Sequence, residues 1–205
     1  MLGLPAGGTP VPLYRELVRL HREEGLSFAG VTAFNLDEYW PAPPGASFAD
    51  FLREHLFRHV DLPPGGAFLL DGGVAVERVA DECARFEAAI RAAGGVDLQI
   101  LGLGLNGHIG FNEPGSGAET RTRRVRLAPD TVQRAARARA EWGGCTEAMS
   151  MGVATILEAR RIVVLAFGAE KAIAVARARS GPETAEFPAS FLRRHPRVAW
   201  YVDVA

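Results

Sequence analysis

An imidazole, a carboxylate and an amide lie close together in the stretch Gly102–Gly115, whose sequence is GLGLNGHIGFNEPG. They belong to His108, Glu113 and Asn106, and an imidazole can transfer protons near neutral pH. The stretch follows an apolar run, 98–101, that predicts a buried strand. Because open α/β sheets bind ligands beyond the carboxyl ends of their strands, we expect these side chains to face a ligand.

The same stretch matches a nucleotide-binding fingerprint. Gly102, Gly104 and Gly107 fit the pattern G-x-G-x-x-G of dinucleotide-binding folds. That fingerprint must open a long helix directly after its last glycine, whereas the residues 112–115, Asn-Glu-Pro-Gly, break the chain after barely one turn. We therefore reject a dinucleotide site. A purely structural glycine turn is the other alternative, and the density of polar residues argues against it.

A second carboxylate is predicted to enter the same cleft from an earlier strand. The run Val31–Leu36 predicts a strand that ends in Asp37 and Glu38. Alternation sends these two side chains to opposite sides, and Asp37 shares its side with Asn35. We interpret Asp37 as the cleft carboxylate and Glu38 as structural. An ordinary polar strand exit is the alternative.

Two segments could hold an anion. Gly7, Gly8 and Thr9 form a turn before a predicted helix, with Thr9 as its cap and Pro10 at its first position. Such a turn is either a phosphate or carboxylate cradle or a capped loop that binds nothing. Lys171 is predicted near another helix N-terminus, where the helix dipole disfavours a cation unless an anionic ligand is bound.

An arginine-rich segment, roughly 120–145, is predicted to be a flap over an anionic small molecule. Nucleic acid is a poorer ligand, because no aromatic residues are interleaved and the net charge is −1. We expect only one or two of these arginines to touch ligand. They are Arg121, Arg123, Arg124, Arg126, Arg134, Arg137 and Arg139.

Composition and element order predict one α/β domain, 1–205. The chain is 48% hydrophobic and 23% charged, with no evident signal peptide or membrane-spanning run, so we expect a cytoplasmic protein. Strands alternate with helices, which predicts a doubly wound, mostly parallel, Rossmann-like sheet with helices on both faces. Its first strand is shortened, since only Met1–Leu4 precede the first turn. The other predicted elements are helices Ser47–His59, Val74–Ala93, Met149–Leu157 and Ser190–Arg194, and strands Phe68–Leu70, Asp97–Leu101, Arg161–Phe167 and Val198–Val204.

Five motifs give the chain a resemblance to a known family. They are GLPAGGTP at 3–10, FNLDEY at 34–39, GLGLNGHIGFNEPG at 102–115, TRTRRV at 120–125 and GAEKA at 168–172. In this order they resemble the glucosamine-6-phosphate deaminase (isomerase) family from Leu2 to about Asp203. The resemblance implies an enzyme of amino-sugar catabolism that converts glucosamine 6-phosphate and water to fructose 6-phosphate and ammonia. Such an enzyme is a hydrolase that also isomerises its substrate, and it needs no metal or other cofactor.

The resemblance also implies residue roles. His108 would move the proton between the sugar O1 hydroxyl and ring oxygen, with Glu113 orienting it and Asn106 at a position occupied by aspartate or asparagine. Asp37 would carry a proton between C2 and C1. The phosphate would lie on Gly7, Gly8 and Thr9, with Lys171 as its counter-charge and Arg137 on the flap touching substrate.

Several positions depart from the family pattern. Ala6 stands where many members have a hydroxyl residue beside the phosphate, and Asn106 cannot stabilise an imidazolium by charge. The N-terminal helix of the family is missing, which suggests a late start or a natural reduction. Ser116 and Arg123 could match an activator site, but Val125 replaces its lysine, so we expect no activation by N-acetylglucosamine 6-phosphate. A homo-oligomer is possible, and no nucleic-acid or membrane partner is expected.

Two other functions share this fold. A 6-phosphogluconolactonase has a similar glycine-histidine turn, but the sequence FNEP and Tyr39 argue against it. A sugar-phosphate-sensing domain of a transcriptional regulator would not need Asp37 or His108.

Overall fold

Two sheets organise the protein, which the computed structural model describes over residues 1–203. The strands of the described chain are β1 (Leu2–Leu4), β2 (Ala33–Asn35), β3 (Asp37–Tyr39), β4 (Ala67–Phe68), β5 (Leu98–Gly102), β6 (Arg123–Arg126), β7 (Glu147–Ser150), β8 (Arg161–Ala166) and β9 (Val198–Val202). Six of them form a parallel sheet in the order β4-β2-β1-β5-β8-β9. The predicted α/β fold with a short first strand is confirmed.

Helices cover both faces of the parallel sheet. They are α1 (Val11–Glu24), α2 (Phe48–His55), α3 (Val79–Ala92), α4 (Pro129–Ala138), α5 (Val153–Leu157) and α6 (Ala172–Ser180). Neighbouring strand residues Ile100 and Leu101 enter different hydrophobic clusters, as alternation requires. The Leu101 cluster includes residues of α3 and α6, and the Ile100 cluster includes residues of α1 and α2. Among residues 1–203, no helix is both long enough and apolar enough to cross a membrane.

A second, antiparallel sheet of β3, β7 and β6 was not predicted. Asp37 and Glu38 were expected to leave a strand Val31–Leu36, but they begin a new strand only two residues after β2 ends. The segment Met149–Leu157 was predicted to be helical, and its first residues instead complete β7 before α5 begins at Val153. Strands of three or four residues give too short a pattern for alternation to be recognised.

Several predicted helix boundaries were also wrong. Thr9 does not cap α1, because Pro10 takes the N-cap position and no side chain caps the helix. The helix predicted from Val74 begins at Val79, after a single 3-10 turn. The helix predicted from Ser47 keeps that residue as its cap but ends at His55. The last strand was predicted to reach Val204, which lies outside the described residues.

Candidate active site

A cavity of about 280 Å³ opens where the main strands end. The loops that follow β1, β2 and β5 form its floor, and α4 forms one wall. This is the carboxyl edge of the parallel sheet, where α/β folds place ligands. Its polar lining consists of Gly7, Thr9, Asp37, Gly104, His108, Gly110, Thr131, Arg134 and Lys171.

Asp37 lies in this cavity and is held by its own backbone. It is 6% exposed and pairs with Ser150 of β7. The side-chain amide of Asn35 donates to the Asp37 carbonyl at 2.9 Å. Burial, followed by the negative charge of Glu38, raises the pKa of the Asp37 carboxyl well above its usual value. Asp37 is therefore a carboxylate with an increased affinity for a proton.

Glu38 points away from the cavity, as the alternation of the strand predicts. Its carboxylate accepts backbone N–H groups of Phe48 and Ala49, each at 2.8 Å, at the start of α2. It also accepts the N–H of Tyr39 at 3.0 Å. Burial raises the pKa of Glu38 to about 7 despite these donors. Glu38 thus anchors α2 behind the strand that carries Asp37.

His108 reaches the cavity with Glu113 and Asn106 behind it. Its Nδ1 lies 3.4 Å from Glu113 Oε2, a close charge contact without the alignment of a hydrogen bond. Asn106 Nδ2 donates to the same Oε2 at 2.8 Å, and Asn106 Oδ1 accepts the His108 N–H at 3.2 Å. Asn106 and Glu113 do not line the cavity themselves. They form a support that fixes the imidazole from its far side.

Glu113 stays ionised in this setting. Its burial opposes ionisation, but contacts with His108, Thr131 and Asn106 outweigh that effect and lower its pKa from 4.5 to about 2. The shortest hydrogen bond to Glu113 in the described chain comes from Thr131 Oγ1, which donates to Oε1 at 2.5 Å. A permanent negative charge therefore lies 3.4 Å from Nδ1 of the imidazole.

Gly104 permits the close packing of the histidine. A Cβ atom at this position would collide with the imidazole ring of His108. The backbone N–H of Gly104 also donates to the His108 carbonyl at 2.9 Å, which closes the loop. This glycine of the apparent dinucleotide fingerprint therefore makes room for the histidine.

The opposite end of the cavity is cationic. Gly7 and Thr9 line it, and Gly7 has the positive φ of +103° that glycine tolerates best. Lys171 donates to the Leu103 carbonyl at 2.7 Å. Burial and the positive charge of Arg134 lower the pKa of Lys171 below its ordinary value. Gly8, which was predicted to belong to the phosphate cradle, does not line the cavity, whereas Gly7 and Thr9 do.

Arg137 was predicted to touch ligand, but it does not line this cavity, whereas Arg134 does. The cavity-lining residues of α4 are Thr131, Arg134, Ala135 and Ala138. Their spacing of three, one and three residues defines a single helical face. Arg137 is exposed on another face and does not line the cavity. This spacing was present in the sequence and could have identified both Thr131 and Arg134.

Aromatic residues form the apolar side of the cavity. The cavity is lined there by Tyr39, Phe48, Phe111 and Trp142. Tyr39 and Phe48 contact each other and both contact Phe111 and Trp142, with ring centroids 4.6–5.9 Å apart. Trp142 donates its indole N–H to the Ala46 carbonyl at 2.7 Å, so the wall is fixed to the loop before α2. Such rings can cover the apolar edge of a sugar and exclude water.

A larger cavity of about 640 Å³ lies between α6 and the end of β9. It shares Lys171 with the first cavity but is lined mainly by small apolar residues. Its carboxylate, Asp203, is already bonded to the Gly168 N–H at 2.9 Å. Of these two cavities, the smaller one combines a carboxylate, an imidazole and cations at the carboxyl edge of the sheet, and we take it as the candidate active site.

The family described as "Glucosamine-6-phosphate isomerases/6-phosphogluconolactonase" has a sequence profile that matches residues 1–200. The chain belongs to this family. A relative named glucosamine-6-phosphate deaminase 2, from Giardia intestinalis, is 48% identical over 213 residues, which is all of this chain and 79% of the relative. A glucosamine-6-phosphate deaminase from Bacillus velezensis is 44% identical over 206 residues, covering 99% of this chain and 85% of that one.

Solved structures of both kinds of enzyme in the family name are similar to this chain, but to different degrees. A structure titled as a monomeric glucosamine-6-phosphate deaminase matches with a TM-score of 0.94 and 40% identity, over 98% of this chain and 84% of that one. The 6-phosphogluconolactonase of Thermotoga maritima matches with a TM-score of 0.76 and 23% identity, over 98% and 84%. The latter likeness shows the shared fold alone.

Proposed function

We propose that this member of the family is a glucosamine-6-phosphate deaminase. It would convert glucosamine 6-phosphate and water to fructose 6-phosphate and ammonia in amino-sugar catabolism. Relatives that carry this name are 41–48% identical to the chain over nearly its whole length. The cavity contains the groups that such an isomerising deamination requires, and each step can be assigned to one of them.

His108 opens the sugar ring in this proposal. Its imidazole takes the proton of the O1 hydroxyl and returns a proton to the ring oxygen as the C1–O5 bond breaks. The ionised Glu113, 3.4 Å from Nδ1, stabilises the imidazolium formed between these two transfers. Asn106 holds Glu113 in place through its 2.8 Å hydrogen bond and keeps the loop closed on His108.

Asp37 isomerises the open-chain sugar. Its carboxylate takes the proton from C2, which gives an enolamine, and delivers a proton to C1. The nitrogen is then bound to C2 as an imine, to which water adds and from which ammonia leaves. Burial makes Asp37 a stronger base than a solvated aspartate, which suits abstraction of a carbon-bound proton.

The phosphate occupies the cationic end of the cavity. Gly7, Thr9, Arg134 and Lys171 all line the cavity, and the charge of Arg134 acts on Lys171. A phosphate dianion would relieve the repulsion that lowers the pKa of Lys171. Remote binding of this kind holds C1 and C2 near the two catalytic side chains. Ala6 supplies no hydroxyl here.

One observation supports this proposal above the others: Asp37 and His108, which are 71 residues apart in the chain, line the same cavity as the cationic end. The direct test is to incubate the protein with glucosamine 6-phosphate and measure ammonia and fructose 6-phosphate together. Equal release of both products is expected, and Asp37→Asn should abolish it.

Two other results would replace the proposal. Hydrolysis of 6-phosphogluconolactone without ammonia release would favour the lactonase branch of the family. Tight binding of the sugar phosphate without turnover would favour a sensor.

We also propose that N-acetylglucosamine 6-phosphate does not activate this enzyme. Arg123 donates to Ser116 Oγ at 2.9 Å and to Asn112 Oδ1 at 2.8 Å, so both of its terminal nitrogens are engaged within the chain. Val125 stands where the activator site has a lysine, so that particular cation is missing. Initial rates should be the same with and without the acetylated sugar, and a rate increase would contradict this proposal.

A further inference from the structure

One face of α4 joins the two ends of the cavity. Thr131 lies at the beginning of this face and contacts Glu113, and Arg134 lies less than one turn further on beside Lys171. The helix therefore touches both the group behind the imidazole and the group that would bind phosphate. Its remaining attachment to the described core is modest, since only Val132 and Ala135 pack partly buried against the neighbouring cluster.

The two oxygens of Glu113 serve different parts of the molecule. Oε2 faces His108 and accepts from Asn106, both on the loop after β5. Oε1 faces α4, accepting from Thr131 Oγ1 at 2.5 Å and more distantly from the Ala128 N–H at 3.4 Å. A carboxylate is rigid, so whatever holds Oε1 also sets the direction of Oε2.

We propose that Thr131 is a positioning residue that couples phosphate binding to the Glu113–His108 pair. A phosphate held by Arg134 and Lys171 seats α4 over the cavity, and the Thr131 hydroxyl then fixes Glu113 with Oε2 toward the imidazole. The proposal rests on the deaminase function and names the device by which a phosphorylated sugar, rather than the free sugar, assembles the ring-opening group. Glucosamine itself should therefore be poor in kcat as well as in KM.

The chain contains a matched control for this contact. Thr155 Oγ1 donates to Oε1 of the buried Glu87 at 2.5 Å, the same chemistry at the same distance. Neither of these two residues lines the candidate site. Thr155→Val therefore removes an equivalent hydrogen bond without touching the proposed coupling.

Steady-state kinetics give the first test. Thr131→Val should lower kcat about 10-fold, as expected for one lost hydrogen bond to a charged group, and change KM less than about 2-fold. Thr131→Ser should recover most of the rate, and Thr155→Val should match the wild type. In a Glu113→Gln background, Thr131→Val should have no further effect. Full multiplication of the two losses would show that Thr131 does not act through Glu113 and would overturn the proposal.

A second test needs no turnover. The imidazole NMR signals of His108, assigned by their loss in His108→Gln, are followed while inorganic phosphate is added. Phosphate should move them in the wild type and in Thr155→Val, and less than about half as far in Thr131→Val, because only direct electrostatics remain. Equal movement in all three proteins, or none in the wild type, would overturn the coupling.

The two tests separate the possible failures. If phosphate moves the His108 signals less than about half as far in Thr131→Val as in the wild type, but the wild type releases no ammonia from glucosamine 6-phosphate, the coupling stands and the deaminase assignment fails. If ammonia is released but the signals of Thr131→Val move as far as those of the wild type, the assignment stands and the coupling fails.

Discussion

The two carboxylates that serve the cavity are held in opposite ways. Asp37 is buried, and within residues 1–203 no hydrogen-bond donor reaches its carboxylate, so its pKa is raised. Glu113 is almost as buried, yet Asn106 and Thr131 donate to it and His108 faces it, so its pKa falls to about 2. Similar exposure therefore gives opposite shifts in pKa, and the neighbouring donors and charges together decide which one occurs.

This difference assigns the two roles. A group that must take and return a proton works best with a raised proton affinity, whereas a group that only stabilises a neighbouring cation works best when it stays charged. The chain builds the first environment by omitting donors around Asp37 and the second by directing three side chains at Glu113. Substitutions at Asp37 and Glu113 either remove this difference in proton affinity or measure it.

Replacing Asp37 with asparagine should have the largest effect. The shape is kept and the base is lost, so we expect kcat for ammonia release to fall by about 10³-fold or more. The fold should be retained, which circular dichroism would check. A variant with more than a tenth of the wild-type kcat would remove Asp37 from the proposed proton transfer.

Replacing Glu113 with glutamine should have the next largest effect. The amide can still accept from Thr131, but it provides no charge for the imidazolium, and we expect a loss of about 10²-fold in kcat. Measuring the two steps separately gives a sharper test. Ring opening, followed by the interconversion of the anomers of glucosamine 6-phosphate, should slow. Exchange of the C2 proton of the open-chain substrate should not. Equal slowing of both would contradict the division of roles.

Stability should change in opposite directions for the two variants. The Asp37 pKa is raised on folding, so its carboxyl favours the folded state at low pH and loses that contribution as pH rises through the folded pKa. Asp37→Asn should therefore be more stable than the wild type at pH 7, by about 1 kcal/mol, with the gap closing below pH 4. Urea unfolding at several pH values would measure this gap, and a destabilised variant at pH 7 would contradict it.

For Glu113 the sign is reversed. Its pKa falls from 4.5 to about 2 on folding, so its contribution is present above pH 4.5 and is lost as pH falls toward 2. Glu113→Gln should be less stable than the wild type by about 1–3 kcal/mol at pH 7, because buried donors lose a charged acceptor, and nearly equal to it near pH 2. A stability gap independent of pH would show that charge is not the cause.

The smallest expected effect is on KM, and it concerns the cationic end of the cavity rather than either of the two carboxylates. Arg134→Gln should raise KM for glucosamine 6-phosphate about 10-fold, since one charged contact to phosphate is lost. Arg137→Gln, three residues away on another face, should change it less than about 2-fold. The opposite ranking would show that α4 rotates when substrate binds. It would then support the prediction from the sequence that Arg137 contacts the ligand.

The sequence was sufficient for the parallel sheet and for the loop around His108. Apolar runs separated by helices identify a parallel sheet, and alternation along a strand separates Asp37 from Glu38. Both patterns are local in the sequence, so a single sequence is enough to recognise them. The cavity itself follows from the rule that the carboxyl ends of such strands lie together.

Other features depend on packing that no short pattern encodes. The second sheet is built from strands of three or four residues, and β6 carries three arginines in four positions, which resembles a flexible surface segment. The partner of Glu113 on the flap, Thr131, is 18 residues away and looks like any first-turn threonine. Only the rotation of α4 about its own axis decides whether Arg134 or Arg137 faces the cavity, and tertiary contacts set that rotation.

The strand that carries Asp37 has a consequence for engineering. Leu36 bonds to Leu4 in one sheet and to Met151 beside the other, so the adjacent base is positioned by backbone pairing on both sides. The aromatic wall, in contrast, is made of side chains alone. Trimming Phe48 or Trp142 should thus widen the substrate range toward bulkier 2-amino sugars while the proton-transfer geometry stays intact, which makes this wall the natural place to begin directed evolution.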